Sequence, residues 1–153
     1  MPEKETLERA KKDKRQGKSA STQAGEFVRE EMDHIREGKH GARSAKQAIA
    51  IGLSKARRAG VKLAPPKKGK VSEETRKQAA RDTKKGASST KSKPSAKRSR
   101  ATLAALKREG HSAASKLALS RQTKKAASKR SAASRSRSAK KAAATRKREA
   151  SRS

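Results

Sequence analysis

The chain has 153 residues, 45 of them Lys or Arg and 14 Asp or Glu, for a formal charge of +31. Ile, Leu, Val and Phe together number 14, under half of the roughly 20% below which a strongly charged chain is expected to stay disordered. The composition thus argues against a large core and predicts a mostly disordered chain with some all-α elements. Cysteine is absent, which excludes disulfides, thiolate nucleophiles and cysteine-ligated zinc. There is no apolar run of even eight residues, so neither a secretory leader nor a membrane span is expected, and the expected location is cytoplasmic.

In chain order, residues 1–21 read as a basic N-terminal arm. Residues 24–38 are the only net-acidic stretch, at −3, and the large apolar residues begin there. Ala24, Val28, Met32 and Ile35 fall on one helical face with Phe27 beside them, which predicts a helix over about 23–37 that Ser21 or Thr22 can cap and Gly38 ends. After the turn through Gly41, a second helix is predicted over about 43–59, with Ala45, Ala48, Ile49, Gly52, Leu53 and Ala56 as its apolar stripe and Gly60 as its stop. Ala48, Gly52 and Ala56 at four-residue spacing permit close approach, so 22–60 is read as an antiparallel helical hairpin. Its expected core is Phe27, Val28, Met32, Ile35, Ile49 and Leu53.

Residues 61–71 contain Pro65 and Pro66 followed by Lys67, Lys68 and Lys70, an extended linker. Ser72, Glu73 and Glu74 then supply a cap and first-turn carboxylates for a weakly apolar helix over about 72–85, in the segment 72–86. From residue 87 the chain is a low-complexity tail of Lys, Arg, Ala and Ser with charge +19, expected to be disordered with transient helix. Within it Leu103, Leu106, Leu117 and Leu119 bracket Arg108–His111 and echo the hairpin, a degenerate internal repeat or a coincidence of composition.

A polycation of this density binds polyanions, chiefly by releasing the counterions condensed on nucleic acid. Duplex DNA carries one charge per ~1.7 Å, so the whole charge corresponds to at most roughly 16 base pairs. The candidate contacts in the hairpin and linker are Arg43, Lys46, Gln47, Lys55, Arg57, Arg58, Lys67, Lys68 and Lys70. In the tail they are Lys97, Arg98, Arg100, Lys124, Lys125, Lys129, Arg130, Arg135, Arg137, Lys140, Lys141, Arg146, Lys147 and Arg148. One Phe and no Tyr or Trp leave no stacking platform for single strands. A helix-turn-helix reading would put Arg43, Lys46 and Gln47 near base edges, but the linking turn exceeds the usual three or four residues.

Catalytic residues, metal ligands and cofactors are not expected. Glu30 and His34 stand at the i, i+4 spacing of ligand or acid–base pairs, yet with Glu31, Asp33 and Glu37 they read better as an acidic face pairing with Arg29, Arg36 and the basic second helix. His40 and His111 follow or adjoin glycine turns and read as capping or phosphate contacts. Insertion into a membrane needs a bulky apolar face that the alanine-rich tail lacks.

The stretch Thr22–Glu31, continuing through His34–Ser44 to Gln47–Gly60, resembles a family of short basic bacterial proteins, some labelled plasmid-stabilisation or DNA-binding protein, over about residues 1–85. The resemblance implies a bacterial, cytoplasmic or nucleoid setting and carries over no catalytic residue. The tail is similar in composition to linker-histone-like bacterial proteins. The function expected is non-catalytic, histone-like binding and compaction of duplex DNA with little sequence preference, with no small-molecule substrate and self-association through the hairpin as an option. The alternatives are a plasmid-maintenance or regulatory protein whose hairpin recognises a defined DNA site or a protein partner, and an RNA- or ribosome-associated basic protein.

Overall fold

A computed structural model describes residues 2–88 and 95–151. The described residues are helical throughout their regular structure: α1 (Lys4–Arg15), α2 (Ala20–Arg36), α3 (Ala45–Arg58), α4 (Glu73–Ala87), α5 (Ala96–Lys107), a 3-10 turn (Ser112–Ala114), α6 (Lys116–Ser128) and α7 (Ala132–Ala150). No strand occurs among them. The expectation of a mostly disordered chain with an intrinsically disordered, low-complexity tail is therefore overturned. Counting large apolar residues measures the capacity to build a core, whereas a helix satisfies its own backbone hydrogen bonds and Ala, Lys and Arg rank among the strongest helix formers. Residues 89–94, 152 and 153 of the tail lie outside the described residues.

The chain divides into two compact units, residues 1–118 and 119–153. In the first, α2 packs on α3, with α1 against α2 and α4 against α3. Phe27 and Ile35 are fully buried from α2, as are Ala48 and Ala56 from α3, and Met32 is nearly so. Of the other expected core residues, Val28, Ile49 and Leu53 are only partly buried. Alanine and glycine form the α3 side of the contact, so the two backbones come close enough for small side chains to close it. A Cβ added to Gly52 would lie 2.7 Å from the Cα of Val28.

Ser19, not Ser21 or Thr22, caps α2, its hydroxyl accepting from the Thr22 N–H at 3.3 Å. Ser44 and Ser72 cap α3 and α4 in the same way. The end of α3 shows how the chain leaves a helix and returns to the core. Gly60 takes φ +92°, its N–H donates to Arg57 O at 3.0 Å, and Val61 N–H donates to Ala56 O at 3.1 Å. This closure turns Val61 onto the cluster of Ala10, Ala24, Phe27 and Ala56.

The first residues, expected as a basic arm, hold α1, which buries Thr6, Ala10 and Asp13. It is fastened to α2 by Glu3 N–H donating to Glu30 Oε2 at 3.1 Å and Arg9 Nε donating to Glu26 Oε2 at 2.7 Å. The segment that echoes the hairpin docks onto the α2–α3 turn: Gly41 N–H donates to Leu106 O at 2.9 Å and Ala42 N–H to Gly110 O at 3.0 Å. Arg36 Nε donates to Ala114 O at 3.1 Å, and Ala113 and Ala114 are buried.

In the second unit, α7 begins at Ser131, whose hydroxyl accepts from Ser134 N–H at 3.2 Å. Arg130 bridges its first turns, donating to Ser134 O at 2.9 Å and to the Ser138 hydroxyl. No residue of α5, α6 or α7 is buried, so these helices rest on local propensity and capping rather than on a core.

Candidate nucleic-acid interface

The structure sorts the candidate contacts by what already holds them. In the hairpin, three cations are engaged inside the fold. Lys55 Nζ lies 2.7 Å from Glu31 Oε2 and 3.3 Å from Glu30 Oε1, both carboxylates being buried. Arg57 is buried; its Nε donates to Leu63 O at 3.3 Å, and burial pushes the guanidinium below its ordinary pKa against the opposing pull of Asp82. Arg58 Nε donates to Asp82 Oδ1 at 2.7 Å, and the same carboxylate accepts from the Ser54 hydroxyl at 2.6 Å. These contacts tie α3 to α2, to the linker and to α4.

Gln47 is likewise occupied. Its Oε1 accepts from Arg43 N–H at 2.8 Å while its own N–H donates to the Ser44 hydroxyl at 3.2 Å. Its side chain thus fastens the start of α3, much as a reciprocal capping pair does. Arg43 and Lys46 are exposed, as are Lys67, Lys68 and Lys70 in the linker and Lys97, Arg98 and Arg100 on α5. The candidates therefore do not form one continuous surface on α3.

The largest group of candidates on one described helix lies on α7. Arg137, Lys140, Lys141, Lys147 and Arg148 recur at i, i+3, i+4, i+10 and i+11, which at ~100° per residue puts them within an arc of about 120°. Arg135 and Arg146 lie on the opposite side, and all seven are exposed. At ~1.5 Å per residue the five-cation stripe runs about 16 Å along the helix. Alanine and serine supply most of the remaining α7 surface, so little bulk keeps the stripe from a polyanion. Lys124 and Lys125 on α6, and Lys129 and Arg130 in the turn before α7, are exposed as well.

A second constellation went unread in the sequence. Glu31, His34 and His40 place one potential ligand atom each within 4.8 Å of one another. Glu31 is 0% exposed, its oxygens accept no well-formed hydrogen bond, and His40 Nε2 stands 3.3 Å from its Oε1. His40 Nδ1 lies 3.1 Å from Gly41 O, and His34 Nε2 lies 2.9 Å from Glu3 Oε1. Glu30, which shares i, i+4 spacing with His34, is not part of this cluster, because it turns to Glu3 N–H and Lys55. The signal was present: Phe27, Glu31 and Ile35 share four-residue spacing, so a carboxylate in that register is carried inward with the apolar side chains.

A family model described as a family of unknown function (DUF6496) matches residues 11–68, a stretch running from α1 through α2 and α3 into the Pro65–Pro66 linker. No curated protein and no solved structure matches the chain.

Proposed function

We propose that the protein binds duplex nucleic acid, DNA foremost, through phosphate neutralisation with little sequence preference, and that it bridges or compacts the duplex as a histone-like accessory protein of the nucleoid. The observation that carries this reading is the α7 face, five exposed cations in one stripe flanked by alanine and serine. Such a stripe matches a regular row of phosphates and has no aromatic or amide group with which to read bases. The resemblance to bacterial proteins labelled DNA-binding or plasmid-stabilisation agrees with it. The commitment of the Gln47 amide to the start of α3 favours it over site recognition by the hairpin. No described helix is long and apolar enough to cross a membrane.

The test is a salt titration of binding by the full chain to two unrelated duplexes of equal length and one structured RNA. Near-equal affinity for both duplexes with a steep fall against salt is the expected result. Replacing Arg137, Lys140, Lys141, Lys147 and Arg148 together by Ala should lower the slope of log K against log salt by up to ~4.5, at about 0.9 for each phosphate no longer neutralised. An unchanged slope removes α7 from the interface. A preference for one duplex that survives rising salt moves recognition to the hairpin, and a preference for RNA moves the reading to A-form partners.

A further inference from the structure

We infer that Glu31, His34 and His40 form a binding site for a single divalent transition-metal ion of the zinc class, clasping α2 to the α2–α3 turn. The site rests on its own observations and not on the nucleic-acid reading.

Two imidazoles and a carboxylate form a donor set suited to zinc and its first-row neighbours, and poorly suited to Mg²⁺ or Ca²⁺, which prefer all-oxygen shells. The geometry is partly set. Two ligands bound to Zn²⁺ at ~2.0 Å in tetrahedral array stand about 3.3 Å apart, and His40 Nε2 and Glu31 Oε1 are 3.3 Å apart. His34 comes from the next helical turn after Glu31, and its ring meets that of His40 edge-on with centroids 6.0 Å apart. The remaining contraction, from separations of up to 4.8 Å, falls largely on His34, the most exposed of the three side chains at 14%.

The surrounding groups orient the donors. His40 Nδ1 lies against the Gly41 carbonyl at 3.1 Å. A proton there is donated to the carbonyl and leaves the Nε2 lone pair facing Glu31, the arrangement that fixes the tautomer of metal-bound histidines. Glu3, 2.9 Å from His34 Nε2, supplies the outer carboxylate that such a site commonly carries.

Charge supplies the independent argument. Glu30 and Glu31 are both buried and share one ammonium, Lys55. Two buried carboxylates thus face one ammonium, 2.7 Å from Glu31 Oε2 and 3.3 Å from Glu30 Oε1, and Glu31 Oε1, on the imidazole side, accepts no well-formed hydrogen bond. A buried charge in that state is costly. A cation between Glu31 and the imidazoles compensates it, while Lys55 keeps its contact with Glu30. Because Gly41 and Ala42, the residues after His40, hold the backbone of Leu106 and Gly110, the ion would also steady the docked segment that follows α5.

The experiment uses the full chain stripped with a chelator. Zn²⁺ is added in calorimetric and thermal titrations, and Co²⁺ is added as a spectroscopic probe of coordination. The expected result is one ion per chain, a Tm raised by about 5 °C or more at a hundredfold excess over Kd, and the strong visible absorption of tetrahedral Co²⁺. His34→Ala and Glu31→Gln should each weaken binding at least tenfold, and His111→Ala should leave it unchanged. Helical circular dichroism reports whether each variant is folded, and His34→Ala, the most exposed position, decides if Glu31→Gln is not. No binding at 100-fold molar excess of Zn²⁺ overturns the site, and so does binding that survives His34→Ala at full strength. Equal binding of Mg²⁺ overturns the assignment to zinc-class chemistry.

Discussion

Gly52 of α3 sits against the backbone of Val28 in α2, where an added Cβ would meet the Val28 Cα at 2.7 Å and the Phe27 carbonyl oxygen at 3.0 Å. Both neighbours are main chain, so neither can yield by rotating a side chain. Gly52→Ala gains up to ~1 kcal/mol of helix propensity but forces the helices apart, and overpacking of this kind costs about 1–3 kcal/mol. A lowered Tm is the expected outcome. Gly25→Ala, on the exposed side of α2 with nothing within 4 Å, should instead raise Tm, stabilising the fold by the propensity gain alone, about 0.5–1 kcal/mol. Paired thermal melts check the opposite signs.

Asp82 is 1% exposed and accepts from the Arg58 guanidinium, the Ser54 hydroxyl and the Gln78 amide. Asp82→Ala removes all three at once. The loss should be about 1–3 kcal/mol, since Arg58 is half in water and remains solvated when left alone. Denaturant unfolding measures the loss. Amide exchange should show α4 opening before α2 and α3 do.

Glu73 opens α4, and the hydrogen bond from Arg76, aided by its charge, holds the carboxyl below its ordinary pKa of 4.5. A carboxyl with a depressed folded-state pKa contributes stability that is present above 4.5 and is lost as pH falls through the lower, folded value. The protection factors of amides in the first turn of α4, which are corrected for the intrinsic pH dependence of exchange, should therefore fall on acidification below pH 4.5. Glu73→Gln should abolish the pH dependence there and leave the rest of the chain unaffected.

Lys55 and Lys140 carry the same charge to opposite ends. Lys55→Met strands the buried Glu30 and Glu31 carboxylates and should cost about 3 kcal/mol, with the salt dependence of nucleic-acid binding unaltered. Lys140→Ala should leave the unfolding free energy within about 0.5 kcal/mol of the parent while lowering the salt slope by up to ~0.9. Measuring both quantities on both variants separates cations that hold the fold from cations that face a polyanion.

The helix pair was legible because Ala24, Val28, Met32 and Ile35 fall on one helical face beside Phe27 and because Ala48, Gly52 and Ala56 announce a close crossing. Its stops were legible too, since Gly38 and Gly60 both adopt the positive φ that ends a helix. α1 was not, because its buried side is Thr6, Ala10 and Asp13 with Leu7 as the one large apolar residue packed beside them, too few to make a pattern. The helices after residue 95 were missed for a related reason: they bury nothing, so no hydrophobic pattern marks them. For the candidate site, charge named the α7 cations but not the face on which five of them gather, and it could not tell that Lys55, Arg57 and Arg58 are spent within the fold. Nor could a rule of i, i+4 partners choose Glu31 over Glu30, a choice that depends on which carboxylate follows Phe27 into the interior.

A helix that buries no residue has no cooperative partner to melt with. The packed helices α1 to α4 should lose structure in one sigmoidal step, whereas α7 should unwind as a gradual ramp, its ends first. Added salt should then shift that ramp to higher temperature, because screening weakens the repulsion among its cations. For this stretch of chain, the ionic environment takes the part that a hydrophobic interior plays elsewhere.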